Sequence, residues 1–150
     1  MSNVEYVVSA CLCGHPTRYD GAAKPAVPAL TALVESGCAL PVCPECMGGL
    51  PTPRPPAEIQ GDRVVNAVGV DVTEQYRRGA EQVLALCLQH GITKAILKQN
   101  SPSCGSRAVY DGTFSKRLVA GRGVTAALLE QHGIRVFDES NWQEKTNASG

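Results

Sequence analysis

The chain has 150 residues, which is enough for one domain with a single buried core. Basic and acidic side chains number 14 each, so no net field attracts nucleic acid or an anionic membrane, and aromatic residues, at 5%, are too few for a nucleic-acid stacking platform. No apolar run approaches the roughly 20 residues that span a bilayer.

The first half of the chain alternates between strands and helices. A strand is predicted over residues 5–10, and a helix with apolar residues on one face opens at Pro25 and closes near Gly37. A second strand follows at 39–42. Four prolines in residues 50–56 exclude regular structure there and predict a stiff wall beside the preceding cysteine-containing loop.

The second half continues the alternation. An edge strand or hairpin arm is predicted over residues 63–68. A long helix is predicted after it, capped by Asp71 or Thr73 and ending at His90. The other predicted features are a strand at 94–97, a turn at 110–113, a helix at 124–132 and a last strand at 134–137.

This order of elements predicts an α/β fold, a single-domain, three-layer, Rossmann-like parallel sheet with helices on both faces. We expect residues 1–143 to form the domain and 144–150 a polar C-terminal tail. Right-handed crossovers bring the carboxyl ends of all strands to one edge of the sheet, and ligands bind outside that edge. Cys11, Cys43 and Cys104 each follow a predicted strand, so they are expected to converge there.

The seven cysteines are an odd number and do not indicate a disulfide framework. Cys11 lies in a sequence like a lipoprotein cleavage site, but the segment before it is too short for a signal sequence and lacks a basic region. We therefore expect a cytoplasmic protein, in which thiols serve as ligands, nucleophiles or core residues. Cys38 and Cys87 have apolar neighbours and are predicted to pack in the core.

Cys13 and Cys46 are each either an auxiliary ligand or a wall of the pocket. The pair Cys43 and Cys46 has the C-x-x-C spacing of thiol–disulfide oxidoreductases, but that interpretation leaves Cys11 and Cys104 unexplained. Structural zinc sites commonly use two such pairs, and only one is present. Three thiolates from separate loops suit an iron–sulfur cluster with one iron left open, which can act as a Lewis acid.

Several motifs occur together and in order along the chain. They are Ser9-Ala10-Cys11-Leu12-Cys13-Gly14, Arg18-Tyr19-Asp20-Gly21, Cys43-Pro44-Glu45, Gly48-Gly49-Leu50-Pro51, Arg54-Pro55-Pro56-Ala57-Glu58, Ser101-Pro102-Ser103-Cys104-Gly105 and Tyr110-Asp111-Gly112-Thr113-Phe114. In these motifs the chain, from about residue 7 to residue 141, resembles the bacterial thiouracil desulfidase family.

The resemblance implies a 4Fe–4S cluster held by Cys11, Cys43 and Cys104. It also implies non-redox removal of sulfur from a small thiolated pyrimidine, with Glu45 and Ser101 as the catalytic residues. From the residues alone, Glu45 could instead be a solvated carboxylate at a helix start, and Ser101 a cap of its own turn.

Four further residues are candidates for binding the substrate: Ser103, Arg18, Lys24 and Arg54. The arginines offer the bidentate geometry that a phosphate group accepts, so the substrate is either a free base or a thio-nucleotide. No nucleic-acid polymer or membrane partner is expected. Two alternative functions stay open: an iron–sulfur protein that binds or senses sulfide without turnover, and a C-x-x-C oxidoreductase.

Overall fold

The computed structural model describes residues 4–14 and 26–143. In chain order its strands are β1 (Tyr6–Ser9), β2 (Ala39–Val42), β3 (Ala57–Gln60), β4 (Arg63–Asn66), β5 (Lys94–Leu97), β6 (Ala108–Tyr110), β7 (Leu118–Ala120) and β8 (Arg135–Asp138). Its α-helices are α1 (Pro28–Glu35), α2 (Pro44–Met47), α3 (Thr73–His90) and α4 (Val124–Gln131), and a 3-10 turn spans Ala10–Cys13.

Among the described residues, four parallel strands form the central sheet in the order β2-β1-β5-β8. Val7 and Val8 of β1 are both fully buried because the two faces of the sheet are both covered. One face packs on Val83 of α3 and Leu129 of α4, and the other on Leu30 of α1. The predicted three-layer α/β fold is confirmed.

Most predicted elements are present with small shifts at their ends. Strands β2 and β5 have the predicted limits, and β8 is shifted by one residue from the prediction. The N-cap of α3 is Val72 rather than the predicted Asp71 or Thr73, and no side chain caps it, although the Oδ1 of Asp71 accepts a hydrogen bond from the backbone N–H of Thr73. Gly91, with φ 67°, ends that helix in the left-handed conformation, as predicted. The predicted helix start at Pro25 lies outside the described residues.

Two antiparallel hairpins were predicted only in part. The arm at 63–68 is β4, and it pairs with β3, which the sequence did not indicate. Strands β6 and β7 form the second hairpin, of which only the turn after Tyr110 was predicted. Residues 50–56 contain no helix or strand, as their prolines predict. No helix in the described ranges is long and apolar enough to cross a membrane.

Two glycines bring the short helix α2 into backbone contact with α3. A Cβ at Gly79 would overlap the carbonyl oxygen of Pro44, and a Cβ at Gly48 would overlap that of Gln75. Only a residue without a side chain allows this approach. The crossing therefore determines where the loop between β2 and α2, which carries Cys43, lies relative to the sheet.

We expect Gly79→Ala to lower the free energy of unfolding by about 1–3 kcal/mol, because overpacking against immobile backbone has a cost of that size. At an exposed position in a helix, Gly→Ala would instead raise the free energy of unfolding by about 1 kcal/mol. The sign of the change therefore tests whether the backbones of α2 and α3 are in contact at Gly79. Gly121→Ala is the control, since its Cβ would meet only the Val109 side chain at 3.3 Å. Urea unfolding measures both. A Gly79→Ala protein as stable as the wild type would contradict the close approach.

Candidate functional site

A cavity of about 540 Å³ opens at the carboxyl edge of the sheet. Strand β1 connects through α1 to β2 on one side, whereas β5 connects through α4 to β8 on the other, so the order of strands reverses between β1 and β5. Such a switch point leaves a crevice in which α/β proteins bind ligands. Cys11, Cys43 and Cys104, which follow β1, β2 and β5, all line this cavity.

Each thiol is positioned by a different local structure. Cys11 lies on the 3-10 turn that ends at Gly14, where φ is 84°. Cys43 is in an extended conformation between β2 and α2. The loop of Cys104 is held by Ser101, whose Oγ accepts the N–H of Cys104 at 3.1 Å. The hydroxyl of Ser9 donates to the Sγ of Cys104 at 3.6 Å, so β1 also contacts this loop.

Burial dominates the electrostatics of these thiols. It raises the pKa of Cys104 to about 12, against the lowering effect of the Ser9 hydrogen bond, and it raises the pKa of Cys43 to about 12. Burial also raises the pKa of Cys11, although Lys98 opposes it. Without a metal the three thiols are therefore protonated at neutral pH, and binding of a metal releases their protons.

Glu45 lies on the first turn of α2 and lines the same cavity. Its Oε2 accepts two hydrogen bonds, from the hydroxyl of Tyr76 at 2.9 Å and from the Nε of Arg54 at 3.1 Å. Within the described part of the chain, Oε1 receives no hydrogen bond. One oxygen is thus held by two donors, and the other is left to interact with whatever occupies the cavity.

Arg54 lines the cavity, but most of its side chain is engaged with the protein. The side chain is 5% exposed, and its Nε pairs with Glu45. Its Nη1 donates to the carbonyl of Pro51 at 3.2 Å and to the hydroxyl of Thr52 at 2.9 Å. Burial by itself would lower the pKa of Arg54, but the neighbouring Glu45 raises it, so the guanidinium stays charged. Its most evident action is to hold the carboxylate in place.

Ser101 lines the cavity and also organises its loop. Its Oγ accepts hydrogen bonds from the N–H groups of Ser103 and Cys104, each at 3.1 Å. A hydroxyl has two acceptor lone pairs and one donor, so the O–H remains available to a ligand. Ser103, by contrast, is fully buried and does not line the cavity, because its hydroxyl pairs with that of Thr125 at 2.8 Å.

The comparisons with known proteins agree on one family. A family model described as 2-thiouracil desulfurase matches residues 6–141. The chain belongs to the 2-thiouracil desulfurase family. The uncharacterized protein YbbK of Bacillus subtilis (strain 168) is 45% identical over 144 residues, covering 89% of this chain and 95% of YbbK. The solved structure of the 4Fe-4S-dependent thiouracil desulfidase TudS is 53% identical, with a TM-score of 0.92 over 97% of each chain. The resemblance inferred from the motifs is confirmed.

In this member of the 2-thiouracil desulfurase family, the other cysteines lie away from the cavity lining. The Sγ of Cys46 is 3.4 Å from the hydroxyl of Thr52, and Cys13 packs against the core beside α1. Cys87 is fully buried, as predicted, and Cys38 is half-buried. None of the seven cysteines, all of which are described, forms a disulfide. Two of the predicted substrate-binding residues, Arg18 and Lys24, lie outside the described residues.

Sequence reasoning missed several residues at this desulfurase-family site. Tyr76 is separated from Glu45 by 31 positions, and no local pattern links them. Lys98 was not missed, because its place directly after a predicted strand puts it near the mouth of the site; it lines the cavity and pairs with Glu139 at 2.9 Å. Phe114 and Lys116 also line it, although no role was predicted for either residue. Phe114 could have been recognised as a candidate, because aromatic residues are uncommon in this chain and it directly follows an Asp-Gly turn.

Proposed function

We propose that this chain is a thiouracil desulfidase, which hydrolyses the carbon–sulfur bond of a thiolated pyrimidine and releases the oxo product and sulfide. The observation that carries the proposal is the joint presence of three thiols and a carboxylate around one cavity. Membership of the 2-thiouracil desulfurase family and the likeness to the 4Fe-4S-dependent TudS support the same activity.

The donor set of the cavity fits a 4Fe–4S cluster. Cys11, Cys43 and Cys104 are soft ligands from three separate loops, and cysteine thiolates are the usual ligands of iron–sulfur clusters. In residues 4–14 and 26–143, no three His, Cys, Asp or Glu side chains are close enough to hold a single metal ion. A cluster binds each thiolate at a different iron, so its ligands stand further apart than those of one ion. We assign these three residues as the ligands.

When bound, the cluster supplies an iron without a protein ligand, a Lewis acid that suits a soft thiocarbonyl sulfur. The remaining chemistry belongs to the protein. Glu45, through Oε1, takes a proton from the water that adds to the ring carbon, while Arg54 and Tyr76 hold its Oε2. Ser101 donates its O–H to the substrate. The oxygen of water becomes the ring carbonyl and its two protons leave with sulfur, so no electrons are transferred.

The environment of Cys43 argues against a thiol–disulfide oxidoreductase, although the Cys46 thiol is its hydrogen-bonding neighbour. A reactive C-x-x-C cysteine has a lowered pKa, whereas burial raises that of Cys43 to about 12. Cys46 also does not line the cavity. Cys46→Ala should therefore retain the activity of the wild type.

The proposal is tested by measuring iron, acid-labile sulfide and turnover on 2-thiouracil after anaerobic purification. We expect four irons per chain for the cluster proposed and release of many equivalents of sulfide. Release of no more than one equivalent would identify a sulfide-binding or sensing protein. A fully active protein without iron would exclude the cluster.

A further inference from the structure

The hairpin loop between β6 and β7, residues 111–117, holds an unusual backbone conformation beside the cavity. Among the described residues, Asn100, Phe114 and Lys116 are the non-glycine residues with positive φ, at 68°, 57° and 62°. All three line the cavity. This region of φ brings the Cβ of an L-residue too close to the following carbonyl oxygen, and a bulky residue rarely adopts it. Such strain persists only where the surroundings impose it, and it concentrates at functional sites.

Contacts with β3 impose the conformation. The Oε1 of Glu58, which is 8% exposed, accepts the N–H of Gly112 at 2.9 Å and the N–H of Phe114 at 3.2 Å. The side-chain amide of Gln60 donates to the carbonyl of Gly112 at 2.8 Å. A Cβ at Gly112 would come within 2.7 Å of the carbonyl oxygen of Ile59, so the loop lies directly against the strand.

The result of these contacts is an aromatic ring held at the cavity. Tyr76, Tyr110 and Phe114 are the aromatic residues of the described part that line it. Tyr76 is 2% exposed and bonded to Glu45, whereas Phe114 is 37% exposed. This ring, on backbone with a positive φ and more than a third exposed, lines the same cavity as Glu45 and Ser101. It offers a flat surface to a planar ligand.

We propose that the substrate's pyrimidine ring stacks on Phe114 and that Glu58 is the positioning residue that holds Phe114 in place. This rests on the proposed function and explains how a ring with few hydrogen-bonding groups is oriented. Loss of the stacking of a base on an aromatic side chain weakens binding by about 5- to 150-fold, and a leucine, which keeps apolar contact, is expected near the lower end. The interaction requires a π-face rather than apolar volume.

The test measures the dissociation constant of uracil, a product that cannot react further, by calorimetry on the cluster-loaded protein. Phe114→Leu should raise this constant, and the KM for 2-thiouracil, by about tenfold with kcat and cluster absorbance little changed. Phe114→Tyr should bind as the wild type does. Leu118→Ala is the matched control, because Leu118 is exposed on the same hairpin but does not line the cavity.

Glu58 is tested by its conservative variant. Glu58→Gln keeps an acceptor oxygen for the two N–H groups and should retain most of the affinity, whereas Glu58→Ala should lose as much as Phe114→Leu. If Phe114→Leu binds uracil as tightly as the wild type and still releases sulfide from 2-thiouracil, the stacking proposal is wrong and the proposed function stands. If the wild type binds uracil in a manner that depends on Phe114 but releases no sulfide from 2-thiouracil, the proposed function fails and the stacking site stands.

Discussion

Cys104→Ala is expected to lower the iron content of anaerobically purified protein by at least about tenfold, since even the loss of a hydrogen bond to a metal ligand lowers affinity by about 10- to 100-fold. Cys104 is 5% exposed, and it lines the cavity together with Cys11 and Cys43. Turnover on 2-thiouracil should be lost with the iron. Iron analysis and the visible absorbance of the cluster provide the measurement.

Cys87→Ala is the matched control for this variant. It also removes a sulfur atom from a buried site, but Cys87 lies on the buried face of α3, in the core, and does not line the cavity. It should cost about 1 kcal/mol of stability and leave the iron content unchanged. If both variants retain wild-type iron, the metal is bound elsewhere and the assignment of ligands is wrong.

Glu45→Gln should lower kcat by about 10²- to 10⁴-fold while leaving the cluster in place, because general-base catalysis contributes a factor of that size. The amide oxygen can still accept hydrogen bonds from Tyr76 and Arg54, so the side chain keeps its position. The NH₂ group then replaces Oε1 and cannot take a proton. The variant therefore separates the role of Glu45 as a base from its role in the local structure.

The control is Glu130→Gln, which changes another carboxylate paired with an arginine, Arg122, at a distance from the cavity lining. It should be as active as the wild type. Steady-state kinetics with 2-thiouracil, with kcat normalised to iron content, compare Glu45→Gln with Glu130→Gln. Normal turnover in Glu45→Gln would mean that another group activates the water.

The central sheet could be predicted because its strands are short apolar runs between strong breakers. Strands β2 and β5 have the limits that their composition indicates. The hairpins could not be predicted in full, because β6 and β7 have three residues each, too few for a recognisable alternation in the sequence, and β7 is exposed throughout. Strand pairing there depends on distant contacts such as that of Glu58 with Gly112.

The candidate site was predictable as far as it follows from topology. Three cysteines after three parallel strands must meet at one edge, and they line one cavity. The difference between Ser101, which lines the cavity, and Ser103, which does not, was not predictable, because it depends on the pairing of Ser103 with Thr125, 22 positions away. The pairing of Arg54 with Glu45 depends on the path of the proline-rich segment, which no sequence pattern specifies.

The contact between Gly48 and Gly79 has a consequence for engineering the substrate range. Because main chain meets main chain there, any side chain at either position would push α2 and α3 apart, and none can bring them closer. The position of α2, which carries the proposed base Glu45, is therefore fixed by these two glycines. Libraries aimed at new thiolated heterocycles should vary the loop at 113–117 and leave both glycines untouched.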